Sequence, residues 1–323
     1  MHRRSFTLTA AALAFCPLSA LAQTSYPDRA ITIVNPYPGG PTDTFARLVA
    51  RKLSEKLGQS VVVDGKAGAG GVLGVSAVAR ARPDGYTLLV TSASTTIQQP
   101  VVRKSLPYDV EKDLIPISST GQTYQIVVVH PSLPVSNLNE LIAYARANPG
   151  KVTYGSSGLG TALHLAGEVF CSETGVKMLH VPYKTAAQAA TDLLGGQIQV
   201  MFDSVPNSAP HIKAGKLRGL AIMGPTRVDA IPDLRTTTEL NLPRLQYSNW
   251  LGVYAPAGTP KAVVDRITDI LKSVATDADF RAFYDTAGMT PNPMFGAEMA
   301  HVSREQRRQI AEVVKAAGIA LVD

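Results

Sequence analysis

The chain has 323 residues, enough for two domains or one large one. Hydrophobic residues make up 45% and charged residues 17%, the balance of a soluble globular protein, and beyond the N-terminus no apolar run is long enough to span a bilayer. The formal net charge is +6, but basic residues cluster no further than pairs such as Arg51-Lys52, Arg103-Lys104 and Arg307-Arg308, which argues against a nucleic-acid partner.

The first residues follow a different pattern. His2-Arg3-Arg4 is a positive start, Phe6 to Leu21 is mostly apolar, and Ala20-Leu21-Ala22 is a small-x-small cleavage site. Residues 1–22 therefore read as a signal peptide, and the mature chain is expected in the periplasm. Arg3-Arg4-Ser5-Phe6 also fits a twin-arginine export signal. Without Arg3 and Arg4 the mature chain keeps 29 basic against 25 acidic residues, a net charge of +4. Cleavage also removes Cys16 and leaves Cys171 alone, so no internal disulfide is expected; beside Phe170 on a helix, Cys171 reads as a small buried hydrophobe.

In chain order, Ala30–Val34 reads as a buried strand. It runs into Asn35-Pro36-Tyr37-Pro38-Gly39-Gly40-Pro41-Thr42-Asp43 and then a helix with Phe45, Leu48, Val49, Leu53 and Leu57 on one face. Pro41 and Thr42 suit a helix entry and Asp43 lies in its first turn. Strand Ser60–Val63 leads to a glycine-rich stretch from Gly65 to Gly74. A dinucleotide fingerprint counted from Gly68 needs glycine at Leu73, so this stretch reads as a turn where backbones pack closely. Strand Tyr86–Val90 is followed by hydroxyls from Thr91 to Thr96, which either face a cleft at the strand's carboxyl end or cap the next segment. Gln125–Val129 is a β-branched strand, and Leu138–Ala147 a helix capped by Ser136.

The second strand–turn–helix unit starts at Lys151–Tyr154. Ser156, Ser157, Gly158 and Gly160 precede a helix whose cap is Thr161 and whose inward face carries Ala162, Leu165, Ala166, Val169 and Phe170. The first N–H groups of a helix lack internal partners and sit at the positive end of its dipole, so a glycine-serine turn there suits a carboxylate or phosphate. Asn35 to Thr44 and Gly155 to His164 both lack Lys and Arg, so an anion held by either turn is held by dipoles. Strand Lys177–Val181 leads through Tyr183-Lys184-Thr185 to a helix ending at Leu194. Strands Ile198–Phe202, which ends at Asp203-Ser204, Leu217–Met223 and Trp250–Tyr254 follow, and three helices close the chain. Alternation of β and α argues for parallel sheets flanked by helices.

Eight segments carry a family likeness: PYPGGPTD (36–43), GAGG (68–71), PDGYTLL (83–89), LPYDVEKDLIPIS (106–118), YGSSGLGTALHLAGEVF (154–170), HVPYK (180–184), DLLGGQIQVMFD (192–203) and YAPAGTP (254–260). With them the chain resembles the periplasmic solute-binding receptors of tripartite tricarboxylate transporters, the Bordetella uptake gene family. The resemblance implies an α/β, type II periplasmic-binding-protein fold of two lobes joined by a two-strand hinge. The hinge maps onto Gln125–Val129 and Trp250–Tyr254, making lobe 1 residues 26–125 with 254–323 and lobe 2 residues 126–253. It also implies a monomer that binds a small carboxylate and docks on membrane transporter subunits. Tyr37, Pro38, Gly39, Gly40, Thr42 and Asp43 from one turn and Ser156, Ser157, Gly158, Thr161 and His164 from the other would surround the ligand, with Ser92, Thr185 and Asp203. Thr185 stands where the family commonly has glycine.

Several of these residues have a second reading. His164 can donate to an anion or be bonded within the fold; Asp203 can face the ligand or cap a helix starting near Pro206; Asp43 suits a helix-start anion better than a contact to a carboxylate. A sensor subunit presenting ligand to a membrane signalling protein would need the same cleft. A serine hydrolase is the rival from another class, but GxSxG finds Leu159 or Tyr154 where it needs glycine. His130, His164, His180, His211 and His301 have no ligand spacing, so neither metal nor cofactor is expected, and no enzymatic activity.

Overall fold

A computed structural model describes residues 26–321 except Gly40 and Lys184. The signal peptide and the Gly40 site expectation lie outside the described residues. The strands are β1 (Ile31–Asn35), β2 (Val61–Gly65), β3 (Thr87–Ser92), β4 (Leu114–Val129), β5 (Thr153–Ser156), β6 (Leu179–Pro182), β7 (Val200–Ser204), β8 (Arg218–Ile222), β9 (Ser248–Pro256) and β10 (Thr290–Pro291). The helices are α1 (Pro41–Leu57), α2 (Val72–Ala79), α3 (Gln99–Val102), α4 (Val110–Asp113), α5 (Leu138–Ala147), α6 (Ala162–Thr174), α7 (Ala186–Leu194), α8 (Val205–Lys213), α9 (Lys261–Val274), α10 (Ala278–Ala287) and α11 (Gly296–Ala316).

The strand order β2-β1-β3-β9-β4-β7-β5-β6 splits into two groups around the long strand β4. Its Leu114–Tyr124 half pairs antiparallel with β9, and its Gln125–Val129 half pairs with β7 and β8. β1 is parallel to β2 and β3 on one side, and β5 to β6 and β7 on the other. This is a two-lobe α/β fold. The parallel sheets expected from βα alternation are present within each lobe, but antiparallel β4 and β9 join them. The upstream half of β4 lacks a strand signature because Ser118, Ser119, Gln122 and Tyr124 are buried polar or amphipathic residues amid register shifts.

The longer helices pack with an apolar stripe turned inward. Phe45, Leu48, Val49, Leu53 and Leu57 of α1 are buried as their spacing dictates, against α9, α10 and Leu88. A second core packs Ile126, Val128 and Met201 under Leu193. The largest core crosses between the lobes, from Val75, Leu89 and Ile97 through Val102 to Leu165, Phe170 and Phe202. Fully burying each such side chain contributes about 1.5–3 kcal/mol. α11 reinforces this crossing by packing on α6 of one lobe and on α3 and β4 of the other. The cap of α5 is Asn137, whose Oδ1 accepts from Glu140 N–H at 3.0 Å, while Ser136 N–H donates back to Glu140 at 2.6 Å. Ser136 was the expected cap; the reciprocal bonding shifts that role by one residue.

Candidate functional site

The first turn is stitched by the last residue of β1. Asn35 is fully buried; its Oδ1 accepts from Tyr37 N–H at 2.9 Å and its Nδ2 donates to Asp43 Oδ1 at 2.8 Å. Strand end, turn and first helical turn are thus one unit. Asp43 Oδ2 accepts from Arg47 Nε at 2.9 Å, and this bond, with that of Asn35, holds its carboxyl below the usual range. Asp43 therefore serves the helix start. Tyr37 hydroxyl donates to Gly70 O at 2.8 Å, and burial pushes its pKa up, so it is neutral. A Cβ on Gly71 would stand 2.7 Å from the Tyr37 hydroxyl oxygen and one on Gly74 2.9 Å from Lys66 O, so the glycines admit a side chain at one position and another stretch of backbone at the other. Pro38 and Gly39 are exposed.

Beside this turn opens a cavity of about 530 Å³. Tyr37, Pro41 and Thr42 form one wall, Ser92 and Ser94 the next, and Ser204, Pro206 and Asn207 the wall opposite. Thr123, Asn249, Trp250 and Leu251, from the strands joining the lobes, form its floor with Thr286, Ala287 and Met289 alongside. Among the described residues no Lys, Arg, His, Asp or Glu lines it. The N-terminal residues of two helices, α1 and α8, both border it. Such a space stabilises an anion through oriented N–H groups and hydroxyls.

The strand-end hydroxyls divide. Ser92 and Ser94 border the cavity, whereas Thr91 and Thr95 bond each other at 2.7 Å and Thr96 bonds the Tyr254 hydroxyl at 3.1 Å. Asp203 lies behind the opposite wall, 3% exposed, accepting from Ser208 Oγ at 2.8 Å and Asn207 Nδ2 at 3.4 Å. Burial pushes its pKa up, and its bonds serve the start of α8. Thr123, Ser204, Asn207, Asn249 and Thr286 are polar cavity residues outside the expected ligand set, and Ser94 reads in the sequence only as part of the Thr91–Thr96 hydroxyl run. The Asp203-Ser204 strand end before Pro206 was the available signal for two of them.

The second turn gathers elsewhere. Ser156, Ser157, Gly158, Thr161 and His164 sit together at the start of α6, outside the lining of that cavity. The turn meets the other lobe at Gly160, where a Cβ would stand 3.4 Å from Val102 of α3. Thr161 occupies the cap position of α6, but its Oγ1 donates backward to Gly158 O at 2.7 Å. Ser156 is fully buried, takes Gly158 N–H at 3.1 Å and lies 2.6 Å from His180 Nε2. This serine–histidine contact is buried and leaves no open nucleophile. His164, 3% exposed, accepts Gly160 N–H at Nδ1 over 3.0 Å, which is the bonding within the fold that its second reading described. Thr185 is exposed and caps α7 by accepting from Gln188 N–H at 3.2 Å. Burial raises the Cys171 thiol to about 12, as suits a residue serving packing.

Comparison with known proteins bears on this arrangement. Residues 45–319 match the family model described as tripartite tricarboxylate transporter family receptor. The chain is 40% identical to the protein BugT of Bordetella pertussis over 273 residues, 83% of this chain and 82% of BugT. A structure described as that of a periplasmic transporter is 42% identical, covering 92% of this chain and all of the other, with a TM-score of 0.72. The R. palustris protein Rpa4515, solved with adipate, is 33% identical over 91% of this chain and 99% of its own, with a TM-score of 0.70.

Proposed function

Because the chain belongs to the tripartite tricarboxylate transporter receptor family, a family of solute-binding proteins and not of enzymes, we propose that it captures a small carboxylate between its lobes and delivers it to membrane transporter subunits. The observation that carries this reading is the charge-free cavity bordered by the first residues of α1 and α8 and by hydroxyls. An anion there is held by dipoles, and the uncharged floor of Trp250 and Leu251 takes the carbon chain. In this reading Tyr37, Pro38, Gly39, Gly40, Thr42 and Ser92 serve one carboxylate. The turn of Ser156, Ser157, Gly158 and Thr161 approaches from the other lobe as the cleft closes, with Thr185 at its margin. Asp43, His164 and Asp203 act behind the surface, through the bonds described above.

The lobes are proposed as residues 26–125 with the C-terminal segment, and the residues between. Pairing supports an outward crossing at Tyr124–Gln125 of β4. It favours a return at Ser248, where β9 begins to pair with β4, over the return at 254 expected from the family mapping. The chain acts as a monomer in the periplasm after cleavage near Ala22, in keeping with relatives described as periplasmic.

A thermal-shift screen of small carboxylates, amines and sugars tests the ligand class. A carboxylate at a hundredfold excess over Kd stabilises the folded state by about 2.7 kcal/mol. A shift with sugars and none with any carboxylate would overturn the proposal.

A further inference from the structure

We propose that His164 is a positioning residue that holds the second turn in shape only while its ring is neutral, with His180 beside it opposing its charging, so that acid releases the turn. The part concerning ligand affinity rests on the reading that this turn takes part in binding.

The geometry assigns the proton on His164. Its Nδ1 accepts Gly160 N–H at 3.0 Å, so that nitrogen is bare and the ring proton sits on Nε2. Nε2 faces Glu168 Oε1 at 3.7 Å, and the hydroxyl of fully buried Tyr154 donates to the same oxygen. Glu168 thereby favours the tautomer that leaves Nδ1 free for the turn. A second proton has one place to go, Nδ1, and there it would confront the Gly160 N–H. Protonation of His164 therefore exchanges an acceptor for a donor at the point where the turn is anchored.

His180 behaves differently. Its Nε2 lies 2.6 Å from Ser156 Oγ, and Ser156 Oγ also lies 3.1 Å from Gly158 O. A hydroxyl can reverse, so when Nε2 gains a proton Ser156 can accept it and donate to Gly158 O. That protonation is absorbed locally but places a positive charge against His164, ring centroid to centroid 4.1 Å. The two rings thus oppose each other's charging.

α11 packs on α6, and no charged group of α11 acts on either ring. α6 presents Glu168, with the Cys171 thiol nearby; β5 presents Tyr154; β6 presents His180. β7 contributes Phe202, edge-on to Tyr154, and α3 contributes Val102 against Gly160, both apolar. Burial of both rings, and for His164 the charge of His180, lower both values to about 4.

The test follows the His164 and His180 ring protons and the Gly160 amide by NMR from pH 7 to pH 4, on the wild-type chain. The expected result is that the Gly160 amide shifts with the His164 titration, below pH 5. A Gly160 amide that stays still while His164 titrates, or a His164 that titrates at its ordinary value, overturns the proposal. A second arm measures adipate affinity of wild type and His164→Asn at pH 7 and pH 4.5. Asparagine keeps a short-range acceptor but cannot charge, and the ratio of the two proteins cancels adipate's own protonation. At pH 4.5 about a quarter of the His164 rings are charged, so the wild-type-to-variant affinity ratio is expected to fall about 1.3-fold, and about twofold when the measurement is carried to pH 4; a constant ratio counts against the coupling to ligand. If neither protein binds adipate or any other small carboxylate at pH 7, the ligand reading fails, while the NMR arm still decides the lock.

Discussion

Gly160 and the two histidines behind it concentrate the residue-scale chemistry of the second turn. Gly160 has φ +71, in the region that costs a side-chain-bearing residue about 1–2 kcal/mol. Gly160→Ala is therefore expected to lower stability by about 1 kcal/mol, read as a drop in urea midpoint at unchanged m-value. The histidines set a pH dependence of known sign. Their folded values of about 4 lie below the ordinary 6.5, so as pH falls between these values the unfolded chain binds protons first. Stability is at its full value above pH 6.5 and declines toward pH 4. Urea midpoints at pH 7, 5.5 and 4.5 should fall steadily, and less steeply in His164→Asn. The Glu239 carboxylate, held at about 2 chiefly by its bond to Arg227, adds a further loss only below its usual 4.5. A flat profile between pH 6.5 and 4.5 would contradict the neutral buried pair.

At the scale of elements, helix ends decide where an anion can be held. α1 and α8 bring their first residues to one uncharged cavity, whereas the start of α6 meets Val102 instead. Periodicity alone ranked the α6 turn with the α1 turn, because both follow a strand and both carry glycines and hydroxyls. The Asp203-Ser204 strand end before Pro206 marks a loop at the end of a strand but not what that loop faces; β7 places it at the cavity by pairing with Gln125 of the strand that joins the lobes. Capping is more local and more measurable. Asn137→Ala removes the side-chain acceptor from Glu140 N–H and is expected to cost about 1 kcal/mol. Ser136→Ala leaves the Ser136 N–H bond to Glu140 in place and should be near neutral by the same denaturation assay.

Across the whole molecule, the largest core decides how the lobes behave. It passes from Leu89 and Ile97 through Val102 to Leu165 and Phe202, and α11 packs on both sides. Melting is accordingly expected as one transition, with far-ultraviolet dichroism and tryptophan fluorescence coinciding; two separated transitions would mean that the crossing contributes little. Trp250 is the only tryptophan, 1% exposed, on β9 and at the cavity floor. Carboxylate binding should therefore change its emission in proportion to saturation. A calorimetric signal without any fluorescence change would move the ligand away from this floor.

By itself the sequence determined the strand–turn–helix units, the inward faces of α1 and α6, the absence of Lys and Arg from both turns, and the family. These depend on residues a few positions apart, whose spacing is the same in any context that keeps the helix or strand. The tertiary structure alone decided which ends meet. It joined Thr123 to Asn249 across 126 positions, set Ser156 against His180 across 24, and turned Asp203 toward Ser208 rather than into the cavity. Those choices come from strand order and from burial, which exchange a polar group's water for a partner that no local pattern specifies.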